Sequence, residues 1–279
     1  AGLNSSVMNT SGVDSPVLNE KQVVNSVPMS CFYVTQNGSG NGSGNSLADA
    51  APIANFNDGK APFDELAGDT VYFSGDFITG LTTPCEGSAG NLVTLDLINA
   101  RFVGNVTDQV LISKAYIRVQ NALLLQVADV GAVPTGINIS GSNVQIDNCN
   151  IVGQGASGTV PYSSGIRVGD GGLGFSITRS NISHACIGIW IKGLGFAGTI
   201  GGKEMGNTIN HCNAPPLDGA DGIGIGSSRA IPRVENYTGL VISHNTISEW
   251  NDDGIDLFYA SNVVVEYNEI GPFTSQEVD

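Results

Sequence analysis

The residues with the most evident chemistry are the acids of Asn251-Asp252-Asp253-Gly254-Ile255-Asp256-Leu257. Carboxylates this close repel one another unless a cation sits between them or one of them takes up a proton. Hard oxygen ligands at such density suit Ca²⁺. Asp221 precedes Gly222 as Asp253 precedes Gly254, so the two belong at equivalent places in a repeat. The candidate metal ligands are therefore Asp221, Asp252, Asp253 and Asp256. Asp218 and Glu249 lie in nearby loops, and Asp279 falls where another copy of the pattern is due. The expectation is one ion held by Asp253, Asp256 and either Asp221 or Asp252, with loop carbonyls and water completing the shell. A turn must break strand alternation if Asp252 and Asp253 are to point the same way. The competing reading is a set of solvated turn acids, which a chain with 26 acids and 11 bases has to spare.

A second group is Arg167, Trp190, Lys192 and Phe258. Each stands two or four residues after a glycine of the same repeat. Aromatic rings stack on sugar faces and Arg or Lys pairs with carboxylates, so this set predicts a groove for an acidic sugar chain, with Arg167, Trp190, Lys192 and Phe258 as substrate-binding residues. The alternative is an ordinary exposed sheet face. His184, His211 and His244 fall near turn edges and read as turn residues rather than metal ligands. No Ser-His-Asp constellation is present. Paired acids for glycoside hydrolysis would come from the same four aspartates, their separation deciding the stereochemistry.

The elements that must hold these groups form a repeat. A Gly-Ile-x-aliphatic unit occurs at Gly136, Gly165, Gly188, Gly222 and Gly254, in steps of 29, 23, 34 and 32 residues. Between copies lies a second unit, aliphatic-x-x-polar-x-Ile, at Ile146–Ile151, Ile177–Ile182, Ile242–Ile247 and Val265–Ile270, with Asn207-Thr208-Ile209 as a partial copy. The units are short, β-branched and alternating, so they are strands. Short strands with Gly turns and no helical crossover describe an all-β solenoid, the parallel β-helix, with an N-terminal capping segment. Ile137, Ile166, Ile189, Ile223 and Ile255 then form one inward column. Asn207, Asn245 and Asn268, following Cys149 and Ser180, form an inward polar ladder.

The expected layout is an extended or mobile arm over 1–30, a capping region over 31–70, and the β-helix over 71–279, continuing beyond residue 279. The arm also reads as a strand to be added to a neighbouring molecule. In the capping region Ser46 begins a helix over 47–54 that covers the open end. Early strands are expected at Val93–Leu97, Val110–Ile112 and Ile117–Gln120.

A net charge of -15 argues against nucleic-acid binding and suits cation binding. No apolar run is long enough to span a membrane. Ala1 reads as the start of a processed chain. Scarce Lys and Glu, five cysteines and eight Asn-x-Ser/Thr sequons (Asn4, Asn9, Asn37, Asn41, Asn105, Asn138, Asn181 and Asn236) lean towards an extracellular or cell-surface protein. Cys186 and Cys212, placed at one strand edge of successive coils, are either a disulfide or two buried thiols. Cys149 is a small core residue.

Three blocks carry a resemblance: Tyr33-Val34-Thr35-Gln36-Asn37-Gly38-Ser39-Gly40, Gly68-Asp69-Thr70-Val71-Tyr72-Phe73, and Gly87 to Leu95. In this order, followed by Gly-Ile coils, they resemble the opening of secreted right-handed parallel β-helix proteins of the pectate-lyase-like superfamily, over residues 31–279. The superfamily holds lyases, glycoside hydrolases, epimerases, phage tailspikes and adhesins, so the resemblance speaks for fold more than activity. The spacing Asp252, Asp253, Asp256 further resembles the calcium motif of polysaccharide lyase family 9, with Asp221 the candidate for an additional upstream Asp. In that family the ion binds the substrate's uronate and acidifies a carbon-bound proton, which a Lys abstracts. The Lys would fall downstream of residue 279, and no Lys or Arg follows Arg233. The catalytic set of that type is incomplete, which leaves enzymatic activity open.

Three functions follow. The first is a secreted, calcium-dependent polysaccharide lyase-like protein acting on or binding an acidic polysaccharide. The second is a non-catalytic surface protein (adhesin, tailspike or filament subunit) that self-associates through its arm or open solenoid end. The third is a carbohydrate-binding module.

Overall fold

The computed structural model describes residues 29–103, 106–125, 135–153, 162–192, 197–212, 220–226, 235–258 and 260–272. The arm up to residue 28, Asp218, Asp279 and the sequons at Asn4, Asn9 and Asn105 lie outside them. The chain winds as a right-handed parallel β-helix with three faces of stacked parallel strands. The first face carries the Gly-Ile strands: Leu81–Thr82, Asp108–Ile112, Thr135–Ile139, Tyr162–Val168, Ala185–Ile191, Ile223–Ile225 and Ile255–Leu257. The second and third faces are joined where the ten-residue strand Val93–Phe102 runs from one into the other.

The two-part repeat is explained by one contact within each coil. A Cβ on Gly222 would lie 2.4 Å from Ile247 Cγ2 and 2.6 Å from the Gly254 carbonyl. Gly188 stands in the same relation to Ile209, and Gly165 to Ile182, each at 2.4 Å. The first-face glycine is thus the socket for the third-face isoleucine, and neither unit works without the other.

Val110, Ile137, Ile166, Ile189, Ile223 and Ile255 pair in one column, as the repeat requires. The second face adds Val119, Ile146, Ile177, Ile200 and Ile242, and the third Leu124, Ile151, Ile182, Ile209 and Ile247. All of these are fully buried except Ile255, which is partly covered. In the last described coil, Val265 and Ile270 continue the columns but are 39% and 48% exposed, and Leu257, paired with Ile225 beside the first column, is 41% exposed. The expected early strands are all present.

The polar ladder runs unbroken. Cys149 N donates to Ser180 Oγ, Ser180 N to Asn207 Oδ1, Asn207 N to Asn245 Oδ1 and Asn245 N to Asn268 Oδ1, at 2.9–3.2 Å. The Asn245 amide also donates to the Ile200 carbonyl and to Asn268 Oδ1. The corner before it is left-handed in every regular coil that supplies a side chain there: Asn121, Asn148, Arg179, His244 and Tyr267 all have φ between 50° and 59°.

At the N-terminal end the helix expected over 47–54 is broken into pieces. Ser46 caps a single 3-10 turn, Leu47–Asp49, accepting from Asp49 N. Ala51–Pro52 then pairs with the strand Cys31–Thr35, and an α-helix begins only at Ile53 and ends at Asn57. Proline disfavours the helical region for the residue before it, so Ala51 stays extended and Pro52 can only begin the next helix. Phe56, Phe63, Phe73, Phe77 and Phe102 pack ring against ring beneath these segments.

Candidate functional site

Two corners of the first face concentrate the reactive groups. The glycine strand places Asp221 immediately before Gly222, at the same level as Asp253 on the next coil, and Gly222 N donates to the Asp253 carbonyl at 2.9 Å. Asn251 and Asp252 bend away from strand geometry, with Asn251 N and Asp252 N both donating to the Ala220 carbonyl. That bend supplies the break in alternation, and carboxylate oxygens of Asp221, Asp252 and Asp253 fall within 4.8 Å of one another. The trio differs from the expected set in that Asp256 stands outside it. Asp256 lies in the outward column, paired with Gly224.

Asp221 is the unusual member. It is 4% exposed, and its Oδ1 is buried with no hydrogen-bond partner. Burial, then the nearby Asp256 and Asp252 carboxylates, pushes its pKa up to about 7. Its Oδ2 lies 3.2 Å from where a Cβ on Gly224 would stand, so the bare strand at Gly224 makes room for it. A buried acceptor with nothing to accept from, facing two further carboxylates, fits a hard cation in donor type and charge. Asp221, Asp252 and Asp253 are the residues that would hold one.

Beside this corner runs the outward column Asn138, Arg167, Trp190, Gly224 and Asp256, one residue per coil. The Arg167 guanidinium lies over the Trp190 ring at 5.6 Å and Lys192 Nζ at 4.6 Å. Neither cation has an ion-pair partner among the described residues, and Arg167 Nε is buried without a hydrogen bond. Phe258 lies past the strand end, half-buried, with its carbonyl against Gly226.

A third group was not anticipated. His184, His211 and Glu249 each follow a third-face isoleucine by two residues and occupy left-handed corners, with φ of 57°, 50° and 56°. The His184 and His211 rings stack at 4.7 Å, and His211 Nε2 meets Glu249 Oε2 at 2.6 Å. Burial, then the neighbouring His211, holds the His184 pKa below its ordinary value. The equal offset from the isoleucine was the sequence signal for this column.

Cys186 and Cys212 are not joined. Ile182 pairs with Ile209, so Cys212 lies level with Ala185, and Cys186 is one residue further on. One residue of offset sends a strand side chain to the opposite face. Cys212 is buried and Cys186 half-buried, with burial pushing their thiols up to about 12 and about 11.

Comparison with known proteins rests on shape. No protein-family description matches the chain, and no curated protein matches it by sequence. Pectate lyase Pel9A superposes with a TM-score of 0.54 at 12% identity, over 84% of this chain and 67% of that one. The two share the fold, a right-handed parallel β-helix. The GH136 lacto-N-biosidase from Eubacterium ramulus gives a TM-score of 0.48 at 11% identity, over 86% of this chain and 56% of that one. An alginate lyase from a Paenibacillus strain gives 0.46 at 13% identity, over 88% and 96%. No helix among the described residues of this β-helix is long and apolar enough to cross a membrane.

Proposed function

We propose that this β-helix is an extracellular protein that binds an acidic polysaccharide on its first face with the help of Ca²⁺, in the manner of a polysaccharide lyase. The observation that carries the reading is Asp221: a buried carboxylate with an orphaned oxygen, gathered with two other carboxylates. The arrangement of Arg167 and Lys192 supports it. In a chain with 26 acids and 11 bases, these two cations on the same face have no ion-pair partner among the described residues. An incoming uronate would provide one.

Calcium bound here would offset two of the three carboxylate charges, and its six to eight oxygen positions would leave room for a sugar carboxylate beside Asp221, Asp252 and Asp253. The chain's own residues then divide the work. Trp190 offers an apolar ring, Arg167 and Lys192 hold an anionic group, and the main-chain bend at Asn251 and Asp252 keeps the ligand acids convergent. Proton abstraction would require a free base. Both cations lie over Trp190, which favours a second reading, binding without cleavage.

The test combines calcium and sugar. Thermal melts with calcium and with EDTA should differ, the ion stabilising the fold by about 2.7 kcal/mol at a hundredfold excess over its dissociation constant. Calorimetry should show oligogalacturonate or oligoalginate binding that needs calcium. Identical melts and no calcium by elemental analysis would reduce Asp221, Asp252 and Asp253 to turn acids. Release of unsaturated sugar ends, read by ultraviolet absorbance, separates the lyase from the binder.

A further inference from the structure

The second face carries a trough that the acid corner does not use. One outward column there reads Arg118, Gln145, Ser176 and Thr199 on successive coils, and a second reads Gln120, Asp147 and Thr178. Two hollows, of about 660 and 420 Å³, lie against these columns. Both are lined by Gln145, Ser176 and Thr199, so they are two parts of one trough. One bank is formed by stacked turns of successive coils, with Tyr116 and Asn143 held in left-handed backbone at φ 58° and 56°. The other bank holds Met205 and the ion pair between Arg179 and Asp147.

Among the described lining residues, Arg118 is the charged group outside an ion pair, although its charge reaches the Asp147 carboxylate that Arg179 already holds. Arg101 and Arg179 each hold a carboxylate, Asp76 and Asp147. Arg118 instead donates through Nε and Nη2, at 2.9 and 2.6 Å, to the neutral amide oxygen of Gln145. It forms no ion pair among the described residues. A guanidinium has further donors beyond these two, in a planar fork that matches a carboxylate or sulfate.

The shape of the row narrows the occupant. Strands within the sheet bond to neighbours on both sides, so no peptide can add here as a further strand. A nucleic acid needs a basic face to neutralise its run of phosphates, and the described lining of the trough holds two arginines, one of them already paired with Asp147. The floor carries hydroxyls and an amide along Gln145, Ser176 and Thr199, with Leu92 and Phe175 at one end. Its polar groups recur once per coil, ~4.8 Å apart. A regular row of donors and acceptors is matched by a ligand that is itself regular and rich in hydroxyls.

We propose that this trough is a second, calcium-independent glycan-binding surface. It takes an extended polyhydroxylated chain bearing anionic groups, with Arg118 as the charged contact and Gln145, Ser176 and Thr199 as the floor. The experiment is calorimetric titration in EDTA with oligogalacturonate and with sulfated heparin fragments. The proteins are the natural chain, Arg118→Gln and Thr199→Trp, each first checked for an unchanged melt. Thr199 is exposed, so a bulky ring there fills the trough without entering the core. Binding in EDTA is expected, weakened about tenfold or more in both variants, as loss of a charge-assisted contact or a blocked floor implies. Loss of all binding in EDTA overturns the trough and leaves the calcium reading standing. EDTA-resistant binding that neither variant weakens places the glycan elsewhere and overturns it as well.

Discussion

Two columns of polar side chains climb this solenoid, and they behave oppositely. The asparagine ladder of Asn207, Asn245 and Asn268 stacks amides, each of which both donates and accepts, so every rung satisfies the next. The acid corner stacks carboxylates, which when ionised only accept. Asp221 and Asp253 occupy equivalent positions on adjacent coils, and no arrangement of the two can satisfy both. Stacking one residue type on a β-helix is stabilising when the group complements itself. Otherwise the column must draw on something outside the chain, a proton or a cation.

The sharpest way to break this contrast is at the ladder. Asn245→Ala takes the Asn245 side chain away from the buried Asn207 main-chain N–H and from the Ile200 carbonyl. Unfolding in urea should show a loss of about 3 kcal/mol, equal with and without calcium. A loss that calcium repairs would mean that the two columns are coupled.

Asp221→Asn turns the acid corner into a ladder rung. The amide can donate to Asp253 or Asp252, and one charge is gone. In EDTA at pH 8 the variant should be more stable than the natural chain, by about 2 kcal/mol. Calcium should no longer raise its melting temperature.

Protons and calcium should compete at the same carboxylate. The Asp221 pKa is raised to about 7 in the fold, so the folded state holds a proton that the unfolded state releases near 3.8. Its contribution to stability is complete below 3.8 and is lost as pH rises through about 7. Calcium affinity runs the other way, weakening about tenfold per pH unit below 7 and levelling off above it. Titrations from pH 5.5 to 8.5 with proton-release measurement check both signs. A flat calcium affinity across that range would remove Asp221 from the ligand set.

Least affected should be the stability of Lys192→Ala. The side chain is half-exposed, and its cation contact with Trp190 is worth about 0.5 kcal/mol. Sugar binding should nevertheless fall about tenfold, since a charge-assisted contact is lost. Unchanged affinity would confine the first face's sugar binding to the calcium corner.

What was legible in the sequence follows from how strongly backbone geometry constrained it. The Gly-Ile column was visible because a Cβ at Gly188 or Gly222 would strike isoleucine and backbone at once. The placing of Asp221 level with Asp253 came with it. The joining of Asp252 to Asp221 was not visible, because it depends on a bend held by the Ala220 carbonyl, a contact between coils. Cys186 and Cys212 show how fragile strand parity is: they follow the paired Ile182 and Ile209 by four and three residues, and that one-residue difference puts them on opposite faces. The split helix at Pro52 was written in the sequence, but the alanine spacing around it pointed the other way. The His184, His211 and Glu249 stack was legible in principle, since all three share one offset, yet different residue types hid the common position.

The Gly-Ile socket has one more consequence. It fixes each coil to the next but places no constraint on loop length, and successive glycines are separated by anything from 23 to 34 residues. Insertions and deletions in the loops therefore leave the distance from Trp190 to Asp221 untouched. That distance changes only when a whole coil is gained or lost, in increments of ~4.8 Å. The molecule is a ruler marked in single steps, and a ligand that bridges its cations and its acids must fit a whole number of them.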